Sequence, residues 1–107
     1  MTDKIESLIG FAVKAGKIIY GIDNIETMHK KRFLIVACNS LSERSLNHLK
    51  DYAQNKRLPM IRFKNKLLEE AIHKENCKVI AITDKQMSQA IMQYINGNYE
   101  VLTSEVK

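Results

Sequence analysis

The sequence predicts an α/β fold in which helices cover both faces of a central sheet. Three observations carry that prediction. Helical and strand patterns alternate along the chain, two continuous apolar runs read as strands buried on both faces, and capping or turn residues separate the elements. No linker, repeat or low-complexity stretch interrupts the alternation over 107 residues, a length that suits one domain spanning 1–107.

The first helix is expected over about Asp3–Ala15, because Ile5, Leu8, Ile9 and Ala12 recur at helical spacing. Gly16 follows where a helix ends in positive φ, and Lys14 is placed to face the carbonyl end of the helix dipole. Lys17–Tyr20 reads as a short strand, broken by Gly21, which sets backbone N–H groups and a helix start at an exposed corner suited to a phosphate. A second helix is expected over about Asp23–Lys31, with Ile22, Ile25 and Met28 as its apolar stripe. Phe33–Cys38 is the first continuous apolar run. Ser40 and Glu43 have capping-box spacing, so a third helix starts there with Leu46, Leu49 and Ala53 facing inward.

After Pro59, Met60–Phe63 alternates like a strand with one polar face. A short fourth helix is expected around Lys66–His73, and Val79–Ile82 is the second buried run. Thr83 with Gln86, or Asp84 itself, can cap the last helix, where Met87, Ala90, Ile91, Tyr94 and Ile95 turn inward and Asn96 and Gly97 end the element. The tail after about residue 97 carries no assignment.

The net charge of +5 is held unevenly, with 12 Lys or Arg against 4 Asp or Glu between Lys14 and Lys66. A basic block inside a folded domain favours a polyanion partner; a solvated, soluble surface is the plainer reading. No run approaches the ~18 apolar residues of a membrane span, and the polar start is unlike a secretory signal, so a cytoplasmic protein is expected. Cys38 lies in an apolar strand and Cys77 in a polar turn, which makes neither a disulfide framework nor a redox motif. His29, His48 and His73 lack metal-ligand spacing, and there is no P-loop, dinucleotide fingerprint or nucleophile elbow. No catalytic residue, metal or cofactor is therefore assigned, and Asp84 reads as a cap rather than a catalytic carboxylate. Tyr20 and Phe63 lie beside basic residues but fit strand cores.

Leu8, Gly10, Ala12, Lys14, Ala15, Gly16, Lys17 and Gly21 resemble the LGLA-x-[KR]-AGK-x-x-x-G opening of a bacterial RNA-binding group. This is the YlxQ-type branch of the kink-turn-binding ribosomal-protein superfamily. The resemblance continues through Leu34–Ser45 and Leu68–Asp84 and covers the chain up to about Asn96. It implies a three-layer α/β/α sandwich with a mixed four-stranded sheet. It also implies non-catalytic binding of structured RNA, kink-turn-containing or ribosomal, by a monomer within a ribonucleoprotein.

The resemblance further implies three contact segments. At the first, the family pattern is Gly, a small polar residue, Asn, Glu, two variable positions and Lys, with Asn and Glu reading sheared G·A pairs and Lys meeting a phosphate. Here Gly21 keeps its place, Ile22, Asp23 and Asn24 follow, and Thr27 replaces the Lys. Asp23 and Asn24 still offer a carboxylate and an amide to base edges, although Asp23 equally suits a helix cap. Lys14, Lys17, Lys30 and Lys31 are candidate phosphate contacts, and Lys30 and Lys31, with Arg32, also fit a plain solvated helix end. The second segment is the turn after the second strand, Asn39, Ser40, Leu41 and Ser42, and the third is the loop Lys74, Glu75 and Asn76. Two positions that are often glycine in the family, beside this third loop, are Glu69 and His73. The three turns are expected to gather at one end of the sandwich. The alternative is a protein-binding adaptor on the same fold with RNA specificity lost or altered, favoured by Thr27 and the replaced glycines.

Overall fold

The computed structural model describes residues 4–64, 68–72, 74 and 76–103. Helices and strands alternate throughout: α1 Lys4–Lys14, β1 Ile18–Tyr20, α2 Ile22–Thr27, β2 Leu34–Ala37, α3 Glu43–Lys56, β3 Met60–Phe63, α4 Leu68–Ile72, β4 Val79–Ile82, α5 Lys85–Gln93 and β5 Tyr99–Thr103. The strands form one mixed sheet in the order β1-β4-β2-β3-β5, in which only β2 and β3 run parallel. The expected residues Asp3, Lys66 and His73 at helix ends lie outside the described residues.

Both faces of the sheet are covered, and the apolar runs explain why. Successive strand side chains point to opposite faces. Leu34 and Val36 join one cluster with Ile5, Ile9, Ile72 and Ile91 of α1, α4 and α5. Ile35 and Ala37 join a second cluster with Ile25, Leu46, Leu49 and Ala53 of α2 and α3. Val79–Ile82 divides in the same way, so neither run has a polar face to offer water.

The sheet has five strands where four were expected. The extra strand is the unassigned tail, which pairs antiparallel with β3 through a register irregularity at Met60/Ile61. Tyr99 anchors it, its ring meeting Phe63 edge-on at 5.0 Å between centroids, while Arg62 pairs with Glu100 across the ladder. These are cross-strand contacts, which local patterning does not encode.

Other boundaries move for local reasons. α2 ends at Thr27 rather than Lys31, because Met28 turns extended (φ −71, ψ 145), so Lys30 and Lys31 lie on a connecting segment and not on a helix end. Met28 is 39% exposed and leaves the expected apolar stripe. The cap of α3 is Ser42, whose hydroxyl accepts from the Ser45 amide at 3.3 Å, and not Ser40. Asp84 caps α5, accepting from Met87 N at 2.9 Å, while Thr83 N donates instead to the Lys17 carbonyl. α5 stops at Gln93, so Tyr94 turns outward with Lys4 over its ring, and Ser88 takes a buried position. Cys77, expected in a polar turn, is buried in the cluster beneath α1 and α4.

α1 and α3 end alike. After α1, Gly16 (φ 70) allows the Gly16 and Lys17 amides to reach the Val13 and Ala12 carbonyls. After α3, the Arg57 and Leu58 amides reach Gln54 and Ala53, but the left-handed position (φ 57) is held by an arginine. Both are Schellman ends, and only the first has the residue that enters this conformation without a Cβ clash. Arg57→Gly is expected to stabilise the protein by about 1 kcal/mol, read as a higher urea midpoint at unchanged m. Ser88 is 3% exposed and, among the described residues, its hydroxyl has no partner. Ser88→Ala is expected to gain about 1 kcal/mol, and a lower melting temperature would show a hydrogen bond there instead.

Candidate functional site

Strand register brings three loops to one end of the sheet. Tyr20 pairs with Ile80, and Gly21 N continues that ladder by donating to the Val79 carbonyl at 3.0 Å. On the other side of β4, Cys38 N donates to the Lys78 carbonyl at 2.7 Å. The turn before α2, the turn after β2 and the loop before β4 therefore meet around Lys78 and Val79. Their side chains surround a concave site of about 520 Å³, with Tyr20, Ile22, Leu41 and Val79 as its apolar surface. Asp23, Asn24, Lys74, Asn76 and Lys78 supply polar groups along it. Polar and charged residues thus stand beside the apolar ones around this concavity.

Gly21 sits at φ 88, ψ 154, outside the range open to side-chain-bearing residues, and it is the N-cap of α2 with no side-chain hydrogen bond. The capping role that suited Asp23 is thus not realised: Asp23 lies one residue inside the helix and is exposed. Asn24 turns its amide back to the Tyr20 carbonyl at 2.9 Å, and Thr27 donates to the Asp23 carbonyl at 2.7 Å. Ile22 is half-buried against the core cluster of α2 and α3. Of the residues in this turn, Asp23 alone presents an uncommitted charged group to the concavity.

The second turn is cross-linked. Asn39 donates to the Lys64 carbonyl at 3.0 Å, and the Ser40 hydroxyl lies 2.8 Å from Lys78 Nζ and 3.2 Å from Cys38 Sγ. The Leu41 amide closes a turn on the Cys38 carbonyl at 3.2 Å, so α3 starts only at Glu43 and Ser40 lies outside its cap position.

Glu69 organises the third loop. Its carboxylate accepts from the Asn76 amide at 2.7 Å and faces Lys78 Nζ at 3.6 Å, and its carbonyl accepts from Lys74 N at 3.2 Å. Asn76 takes a left-handed conformation (φ 61), which asparagine tolerates. Lys74 lies over the Tyr20 ring, 4.7 Å from its centroid. Burial raises the Tyr20 phenol and the Cys77 thiol above their ordinary ranges, so both stay neutral near pH 7. Glu75 lies outside the described residues.

The candidate residues thus fall into two groups. Gly21, Ile22, Asp23, Asn24, Lys74 and Asn76 line the concavity, with Asn39 and Ser40 beside it. Lys14, Lys17, Lys30, Lys31 and Thr27 do not reach it. Lys17 precedes β1, and Lys30 and Lys31 precede β2, where both strands start beside Ile82 at the far end of β4. β4 is four residues long, about 13 Å between the two ends. Sequence reasoning placed Leu41 in the second turn and read Tyr20 as a core residue, and it did not assign Lys78 or Cys77 to the site. Lys78 alone carried a signal, as a cation directly before the apolar run Val79–Ile82.

Among solved structures, the chain is similar to a protein described as of unknown function from Bacillus halodurans C. Identity is 20%, the match covers 87% of this chain and 97% of that one, and the TM-score is 0.76, which shows a shared fold. No curated protein matches. Among the described residues, no helix is long and apolar enough to cross a membrane. The family model described as the ribosomal protein L7Ae/L30e/S12e/Gadd45 family matches residues 3–92. That family is known for non-catalytic RNA binding, which fits a general RNA-binding role. With most of its length matched, this chain belongs to the ribosomal protein L7Ae/L30e/S12e/Gadd45 family.

Proposed function

We propose that the chain is a single non-catalytic domain of the YlxQ-type branch that binds structured RNA, kink-turn-containing or ribosomal, at the three-loop concavity. The observation that carries this reading is the convergence of Gly21, Lys74 and Lys78 around an apolar floor. Lys74 and Lys78 supply phosphate contacts, which set affinity and its salt dependence. Asp23 and Asn76 offer an acceptor and an amide to base edges or to unpaired nucleotides. Glu69 holds the loop that presents both lysines, in place of the glycines common in the family.

One observation favours a second reading. Thr27 stands where the family has Lys, and Asn24 is folded back on its own backbone, so the residues expected to read G·A pairs are partly committed elsewhere. A protein-binding adaptor on the same fold accommodates that. Recovery of partners from lysate with and without ribonuclease separates the two, since RNA-dependent recovery supports the first and ribonuclease-resistant protein capture the second.

The direct test is a gel-shift series with a kink-turn RNA across salt concentrations. Lys74→Gln with Lys78→Gln is expected to weaken binding roughly ten-fold at about 0.1 M salt and to lower the salt slope by about 2. Affinity and slope equal to those of the unaltered protein would remove the concavity as the RNA surface. Glu69→Ala frees the Asn76 backbone amide and the Lys78 ammonium, and it is expected to lower kink-turn affinity with a salt slope no smaller than that of the unaltered protein, because loop order is lost while the cations remain.

A further inference from the structure

The end of the sheet opposite the concavity carries a row of cations that the three-loop site does not use. Strand order sets the row. β1, β4, β2 and β3 end side by side there, at Ile18, Ile82, Leu34 and Met60. Each of these ends has an exposed basic residue within three positions: Lys17 before β1, Lys85 after β4, Lys31 before β2 and Arg57 before β3. Neighbouring strands are about 4.8 Å apart, so the row extends over about 14 Å. Backbone hydrogen bonds hold the segments together, Thr83 N to the Lys17 carbonyl, Phe33 N to Ile82 and Ile35 N to Pro59. Among the described residues, none of the four cations makes an ion pair, and the neighbouring Asp84 carboxylate is turned to the Met87 amide.

Local stability does not account for two of them. Lys85 is the first residue of α5, where a cation opposes the helix dipole and where the first turn holds no acidic residue. Arg57 occupies a left-handed position that glycine fills without strain. Departures from local preference are expected where function uses the residue. Both departures set a cation on the same edge, beside Lys17 and Lys31.

We infer that this edge is a second polyanion surface, which takes the phosphodiester backbone of an RNA duplex without reading its sequence. A single row of unpaired cations matches a linear array of phosphates. It lies about one strand length from the three-loop site and faces the other way along the sheet. The chain therefore contacts two RNA segments, one by its loops and one by its basic edge. This surface does not depend on kink-turn recognition at the loops.

The test is fluorescence anisotropy with a fully paired RNA duplex lacking internal loops, titrated at several KCl concentrations. The variant Lys17→Gln, Lys31→Gln, Arg57→Gly, Lys85→Gln is expected to lose at least ten-fold in duplex affinity and about 3 in salt slope. Arg44→Gln with Lys50→Gln, which removes charge elsewhere on α3, is expected to change affinity less than two-fold. Arg57→Gly alone is expected to raise the urea midpoint while lowering duplex affinity, a pair of opposite changes that a purely structural arginine does not produce. Unchanged duplex binding by the four-site variant overturns the inference. So does a loss in the Arg44/Lys50 variant proportional to the charge removed, which would mean diffuse electrostatics. Loss of duplex binding in Lys74→Gln/Lys78→Gln with the four-site variant unaffected also overturns it, by moving the duplex to the loops. Binding to anionic phosphatidylserine vesicles but not to duplex RNA would replace RNA with a lipid surface and equally overturn it. Failure of kink-turn binding in the gel-shift series leaves this outcome readable, because the probe here has no kink-turn.

Discussion

Everything that gives this protein two distinct ends follows from the register of β4 between β1 and β2. Ile80 faces Tyr20 on one side and Val36 on the other, and Ile82 faces Ile18 and Leu34. That register carries Gly21, Cys38 and Lys78 to one edge and Lys17, Phe33 and Thr83 to the opposite one. A slip of one residue would send Ile80 and Ile82 to the face that now holds Val79 and Ala81. Because both faces are buried under helices, the apolar side chains resist such a slip from both sides. The loops inherit their positions from packing that they do not themselves provide.

The three-loop site is then held by polar links rather than by rigid secondary structure. α2 has six residues and α4 five, too short to be stable without tertiary contacts. α2 is secured instead by Ile25 in the core and by the Tyr52 hydroxyl, which donates to the Ile25 carbonyl at 3.2 Å. The loop before β4 depends on Glu69, whose single carboxylate faces both the Asn76 amide and Lys78. One charged side chain thus ties two points of this loop together by hydrogen bonding and charge. Such a loop is ordered by electrostatics near the surface, so salt and neighbouring anions act on it directly.

Charge is distributed according to these two ends. The concavity mixes Lys74 and Lys78 with Asp23 and Glu69, which suits recognition of particular groups more than general attraction. Among the described residues, the cations of the opposite edge have no paired carboxylate, and Arg57 and Lys85 sit there at some cost to local stability. On the proposed reading, the loops select and the basic edge binds without reading sequence, and one small sheet holds both at opposite ends.

The sequence alone determined the α/β class, the two buried runs, the inward faces of α1 and α3, the left-handed helix end at Gly16 and the break at Gly21. Each of those rests on periodicity or on a residue's own conformational range, which are local properties. It also pointed to the three loops, through residues resembling a family pattern. It did not disclose β5, because Tyr99 and Glu100 find their partners Phe63 and Arg62 more than thirty residues away. Nor did it separate Lys14, Lys17, Lys30 and Lys31 from the loop residues, since a basic block in sequence has no direction. Ser40 matched a capping pattern that Ser42 fulfils, because the turn from Cys38 to Leu41 delays the helix to Glu43. Tertiary structure decided which charges share an end, because strand direction and pairing are set by the whole sheet and by no single segment.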